Sequence, residues 1–109
     1  MNEGLIDAIT AVSGSGPAYV FLFIEYLSKA AEALGLERKL SNKLVLQTIK
    51  GSLDLLEHQK EEAGVLREKV TSKGGTTQAA MNVFKKHNVE KIFQSALKAA
   101  KKRAKELSK

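Results

Sequence analysis

Apolar positions recur with helical period along the whole chain, and no stretch alternates as a half-buried strand does. Asp7, Ala8, Ile9, Thr10, Ala11 and Val12 read as a short helix or an extended lead-in. The run Ser13-Gly14-Ser15-Gly16-Pro17 then breaks it, with Ser15 placed as a cap and Pro17 in the first turn of the next helix. Residues 17–34 form a long helix whose only clearly polar positions are Glu25, Ser28, Lys29 and Glu32. That spacing draws one narrow polar stripe, so most of the girth must be covered. A small domain has few helices with which to cover it, and a second subunit is the economical explanation. Glu25 and Lys29 form a well-oriented pair one turn apart.

Gly35 ends this helix. Ser41 is the expected cap of the next, with Leu40 and Val45 as its hydrophobic staple. Helical period continues through Leu44, Val45, Ile49, Leu53 and Leu56 to His58, with Gly51 inside, where a close helix crossing would explain it. Residues 58–64 are a polar connection. Val65, Leu66, Lys69 and Val70 suggest one or two helical turns. A helix over 76–87 follows, Asn88 punctuates, and Val89, Ile92, Phe93, Ala96, Leu97, Ala100, Ala104 and Leu107 mark a last helix. The expected fold is all-α, about four to five helices in a single domain of 109 residues.

Composition narrows the chemistry. With no cysteine there is no disulfide framework, zinc–thiolate site or cysteine nucleophile. His58 and His87 lack metal-ligand spacing, and no metal is expected. The net charge of +6 is concentrated at the end, where Lys98, Lys101, Lys102, Arg103, Lys105 and Lys109 face only Glu106. Cations suit the last turns of a helix. No aromatic residue interleaves them, so nucleic acid is not the expected partner. The N-terminus lacks the basic region and long apolar core of a signal peptide. The apolar run 18–24 is too short to cross a bilayer. A soluble, cytoplasmic protein is expected.

The most chemically suggestive stretch is Val70-Thr71-Ser72-Lys73-Gly74-Gly75-Thr76-Thr77-Gln78. Adjacent glycines allow a tight turn. Thr76 and Thr77 can cap the helix that follows. Its first turn presents unpaired N–H groups and the positive end of a dipole, which suits a carboxylate or phosphate. There is no Ser–His–Asp grouping and no HExxH. Ser13-Gly14-Ser15-Gly16 has only a superficial likeness to a dinucleotide fingerprint, because no strand precedes it.

Two segments together resemble one family. Asp7-Ala8-Ile9-Thr10-Ala11-Val12-Ser13-Gly14-Ser15-Gly16-Pro17-Ala18-Tyr19-Val20-Phe21 is similar to the start of the C-terminal domain of pyrroline-5-carboxylate reductase. Val70-Thr71-Ser72-Lys73-Gly74-Gly75-Thr76-Thr77 is similar to that family's substrate loop, V-[TS]-S-P-G-G-[TA]-T. Leu34-Gly35-Leu36 and the spacing from Gln47 to Gly51 also match.

The resemblance implies reduction of a C=N bond by NAD(P)H in the last step of proline synthesis. It implies a helical domain interlocked with a second copy, in homodimers that assemble further, including into pentamers of dimers. Gly74, Gly75, Thr76 and Thr77 would hold the substrate carboxylate, and Val70 would line the pocket. The Thr77 hydroxyl would lie near the imine nitrogen, as the one candidate catalytic group. Thr10 and Ser15 would lie towards the nicotinamide of NADP or NAD. The N-terminal Rossmann domain, expected before Asp7, has no counterpart here. An excised domain or truncated gene is therefore expected, inactive alone. Lys73 departs from the family's proline, and Lys69 stands where a neutral polar residue is usual. Two rival readings are a non-enzymatic oligomerisation module and a reductase paralogue with another role.

Overall fold

The computed structural model describes residues 2–108. Along them run α1 (Glu3–Ile9), a π-helical turn (Thr10–Gly14), α2 (Gly16–Ala33), α3 (Arg38–Gln59), α4 (Ala63–Lys69), α5 (Thr76–Lys86) and α6 (Val89–Leu107). No strand occurs among the described residues. The lead-in is helix: the Asn2 side chain accepts a hydrogen bond from the Leu5 N–H at 2.9 Å and caps α1.

The chain divides into two compact units, one of residues up to Phe21 together with those from Asn82 on, the other Leu22–Met81. In the first, α1 and the π turn pack on α6. Asp7 and Ala11 are buried there. The glycine-rich run does not break the helix; it widens it. The Ser15 N–H reaches back five residues to the Thr10 carbonyl at 3.0 Å. The Tyr19 hydroxyl, one turn into α2, donates to the Ala11 carbonyl at 2.8 Å and ties the π turn to α2. Thr10 and Ser13 hydroxyls donate to the Ile6 and Ile9 carbonyls at 3.0 and 2.9 Å. Pro17 sits in the first turn of α2, as its missing N–H favours.

In the second unit Gly35 lies in the turn that follows α2, with a φ of +100° that suits only glycine. The Gly35 N–H donates to the Glu32 carbonyl at 2.9 Å and the Leu36 N–H to the Ala31 carbonyl at 3.3 Å, which stops the helix as expected. Expectations at the start and middle of α3 are revised here. Helix α3 starts at Arg38 after an extended Glu37, so Ser41 lies inside its first turn and is not its cap. Instead the Ser41 hydroxyl, fully buried, reaches back to the Leu36 carbonyl at 3.4 Å. The staple of Leu40 and Val45 lapses with that shift of register. Within the chain Gly51 meets no close helix: a methyl group built on it would find nothing within 4 Å.

The polar stripe of α2 is only partly turned to solvent, with Glu25 and Lys29 exposed and Glu32 half-buried. Ser28 is buried, and it shares a cleft with Glu25, Lys29 and Glu32 and with Arg38 and Asn42 of α3. The apolar side points outward, with Phe21 68% and Tyr26 60% exposed. Among the described residues only Ala11 and Val45 are buried hydrophobics. The apolar run 18–24 also proves to be part of something longer. The helical run Glu3–Ala33 spans 31 residues and is, by length and composition, apolar enough to cross a membrane. Something must cover this surface.

Candidate functional site

The glycine loop lies wholly in the second unit, between α4 and α5. Helix α4 closes with the Val70 N–H donating to the Leu66 carbonyl at 3.1 Å. The Thr71 hydroxyl caps the exit by donating to the Arg67 carbonyl. A turn then spans residues 72–75: the Gly75 N–H donates to the Ser72 carbonyl at 3.1 Å. Gly74, at its third position, has φ +75°, which a type II turn demands and which glycine alone takes freely. A methyl group on Gly75 would come within 3.3 Å of the Ser72 carbonyl, so a side chain there would press on the turn. Both glycines of the motif therefore have a geometric reason to be glycine.

Thr76 and Thr77 are the first two residues of α5 rather than its cap. The residue before the helix is Gly75, whose carbonyl accepts from the Ala79 N–H at 3.2 Å. The N–H groups of Thr76 and Thr77 thus belong to the open first turn, where the helix offers donors and partial positive charge. The Gly75 N–H is already engaged by the turn. An anion at this loop would meet first the amides of the helix start. Thr77 is half-buried, while Val70, Gly74 and Thr76 are exposed. The cation of Lys69 is drawn to Glu61 at 2.9 Å. Lys73 stands exposed at the second position of the turn.

Thr10 and Ser15 belong to the other unit and bracket the π turn. The Thr10 hydroxyl donates to the Ile6 carbonyl, whereas the half-buried Ser15 side chain has no hydrogen bond among the described residues. Sequence reasoning missed the π turn and the Tyr19 hydroxyl that braces it. The only signal was Gly14, Gly16 and Pro17 set within a continuous apolar pattern. Among the described residues no group of three His, Asp or Glu side chains could hold a metal ion.

With this geometry in hand, known proteins give a consistent picture. The profile of the pyrroline-5-carboxylate reductase dimerisation family matches residues 3–107. The pyrroline-5-carboxylate reductase of Pseudomonas aeruginosa is 44% identical over 107 residues, covering 98% of this chain and 39% of that protein. The Arabidopsis thaliana pyrroline-5-carboxylate reductase is 42% identical, covering 98% and 39%. The chain superposes on the pyrroline carboxylate reductase of Plasmodium falciparum, solved with NADP bound, with TM-score 0.94 and 38% identity, covering 100% of this chain and 42% of that one. A pyrroline-5-carboxylate reductase from Coxiella burnetii gives TM-score 0.94 and 45% identity, covering 100% and 40%. The chain thus spans about two-fifths of the length of these relatives.

Proposed function

The chain belongs to the pyrroline-5-carboxylate reductase dimerisation family, and on that premise we propose that it is the dimerising, substrate-holding part of an enzyme that reduces pyrroline-5-carboxylate to proline. The observation that carries this reading is the turn at residues 72–75 feeding the open first turn of α5. Its two glycines and the amides behind them have the chemistry of a carboxylate cradle. The Thr76 and Thr77 amides receive the carboxylate, with Gly74 and Gly75 shaping the turn and Val70 at its edge. The Thr77 hydroxyl faces the imine nitrogen and orients it. NADP or NAD, held by a separate Rossmann domain, supplies the hydride. Of the two residues assigned to the nicotinamide side, Ser15 fits best, because its hydroxyl is uncommitted while that of Thr10 is bonded to Ile6. The contribution of this chain is therefore positioning and pre-organised electrostatics.

The same reading covers the exposed side of α2 with a second copy, in a homodimer able to build pentamers of dimers. It leaves the protein cytoplasmic, with no membrane and no nucleic acid as partner. The test is NAD(P)H oxidation with pyrroline-5-carboxylate. The reductase carrying this segment is expected to turn over, and the 109-residue chain alone is expected to be inactive. Lys73 favours a second reading, a paralogue with another role, because it adds a cation beside the carboxylate cradle. A segment-bearing enzyme that binds proline but fails to reduce the imine would favour that paralogue.

A further inference from the structure

A second candidate site lies within the first unit. Helix α6 carries Lys98, Lys101, Lys102 and Lys105 at the spacing i, i+3, i+4, i+7, which places them on one face. That face lines a cleft of about 410 Å³ whose other wall is Glu3, Gly4 and Asp7 of α1. Gly4 adds no side chain between Glu3 and Asp7 on that wall. The cleft is not a set of satisfied ion pairs. Among the described residues none of the four ammonium groups lies within 4.0 Å of a carboxylate, although two carboxylates share the cleft. The three ion pairs that form among the described residues use Lys29, Lys69 and Arg103. Four ammonium groups against two carboxylates leave a local charge of +2.

We propose that the cleft between α1 and α6 binds a small dianion of the phosphate class, a phosphate ion or phosphomonoester. A ligand with charge −2 neutralises the local excess, and its oxygens can accept from several flexible ammonium donors at once. Asp7, buried at the base of this wall, sets the sign of discrimination. It and Glu3 hold the excess to two charges, so a long polyanion has no further cations inside the cleft.

Isothermal titration of the 109-residue chain with inorganic phosphate and with adenosine monophosphate tests this, alongside a single-stranded DNA 20-mer at the same phosphate concentration. Saturable binding of one phosphate per chain is expected, weakening as salt is raised. Lys101→Gln with Lys105→Gln should cost at least tenfold in affinity while circular dichroism and oligomeric state are unchanged. Glu3→Gln should tighten binding, because it raises the local charge. Adenosine monophosphate binding alone would assign the site to a phosphomonoester, and phosphate binding alone to the free ion; both uphold the proposal. No saturable binding by either, affinity indifferent to the lysine substitutions, or binding by DNA only would overturn it.

Discussion

At the scale of single residues, Lys73 is the sharpest departure from the family's loop, and the turn says what it changes. It occupies the second position of the turn closed by the Gly75 N–H, where proline is favoured because its φ is already set. Its own N–H has no hydrogen bond among the described backbone bonds, so proline would remove none. Lys73→Pro should therefore stabilise the chain by about 0.4–1 kcal/mol through the unfolded state. Urea denaturation measures this, and a loss of stability would mean that the turn is misassigned. Thr77 carries a functional claim. In the full-length reductase Thr77→Ala should lower kcat/KM by roughly 1–3 kcal/mol, about 5- to 150-fold. Unchanged kinetics would remove Thr77 from the imine. The motif Gly74-Gly75-Thr76-Thr77 was legible as a turn before a helix, because glycine pairs and hydroxyls have few other uses. The helix start at Thr76 was legible too; that Gly75 rather than a threonine precedes the helix as its cap, and that the turn consumes the Gly75 N–H, was not. Both depend on which residue serves as the cap, which capping preferences alone do not fix.

At the scale of elements, period and punctuation located α2, α3, α5 and α6 to within about four residues, since Gly35 and Asn88 take left-handed conformations that end helices. The π turn escaped, because an apolar helix that continues through glycines looks in sequence like one that stops. Its brace makes a specific prediction. Tyr19→Phe removes only the hydroxyl that meets the Ala11 carbonyl at 2.8 Å. Backbone hydrogen exchange at Ser15 should speed up, while the middle of α3 exchanges as before. Equal exchange at Ser15 would show that the π turn holds itself. Gly51 was expected at a helix crossing, yet the space around it within the chain is open. An interior helical glycine costs about 1 kcal/mol against alanine. Gly51→Ala should raise the denaturation midpoint correspondingly. A fall would show that the backbone of a second copy approaches α3 at that point. The stripe on α2 was read correctly as polar, but not as the side turned towards the start of α3. Amphipathic pattern identifies two faces of a helix and cannot say which of them its own chain covers.

At the scale of the whole molecule, the surface is the central fact. The chain exposes 9215 Å², whereas a compact monomer of 11.9 kDa exposes about 6,000 Å². Phe21, Phe23, Tyr26, Leu53, Phe84, Ile92 and Phe93 are all more than 45% exposed. Burying each such side chain is worth about 1.5–3 kcal/mol, against a margin of roughly 5–15 kcal/mol for a typical domain. With Ala11 and Val45 the only buried hydrophobics among the described residues, the fold cannot stand on its internal core. A second copy supplies the missing cover, and a two-fold interface lets one sequence do so for both. The need for a partner was legible in the girth of α2; how little the chain buries by itself was not, because that depends on where every helix lies. The most direct measurement is light scattering on the purified 109-residue chain, diluted through the micromolar range without detergent. A folded species of twice 11.9 kDa, or an even multiple of it, that loses its helical circular dichroism as it dissociates is the predicted result. A helical, stable monomer at micromolar concentration would contradict the account.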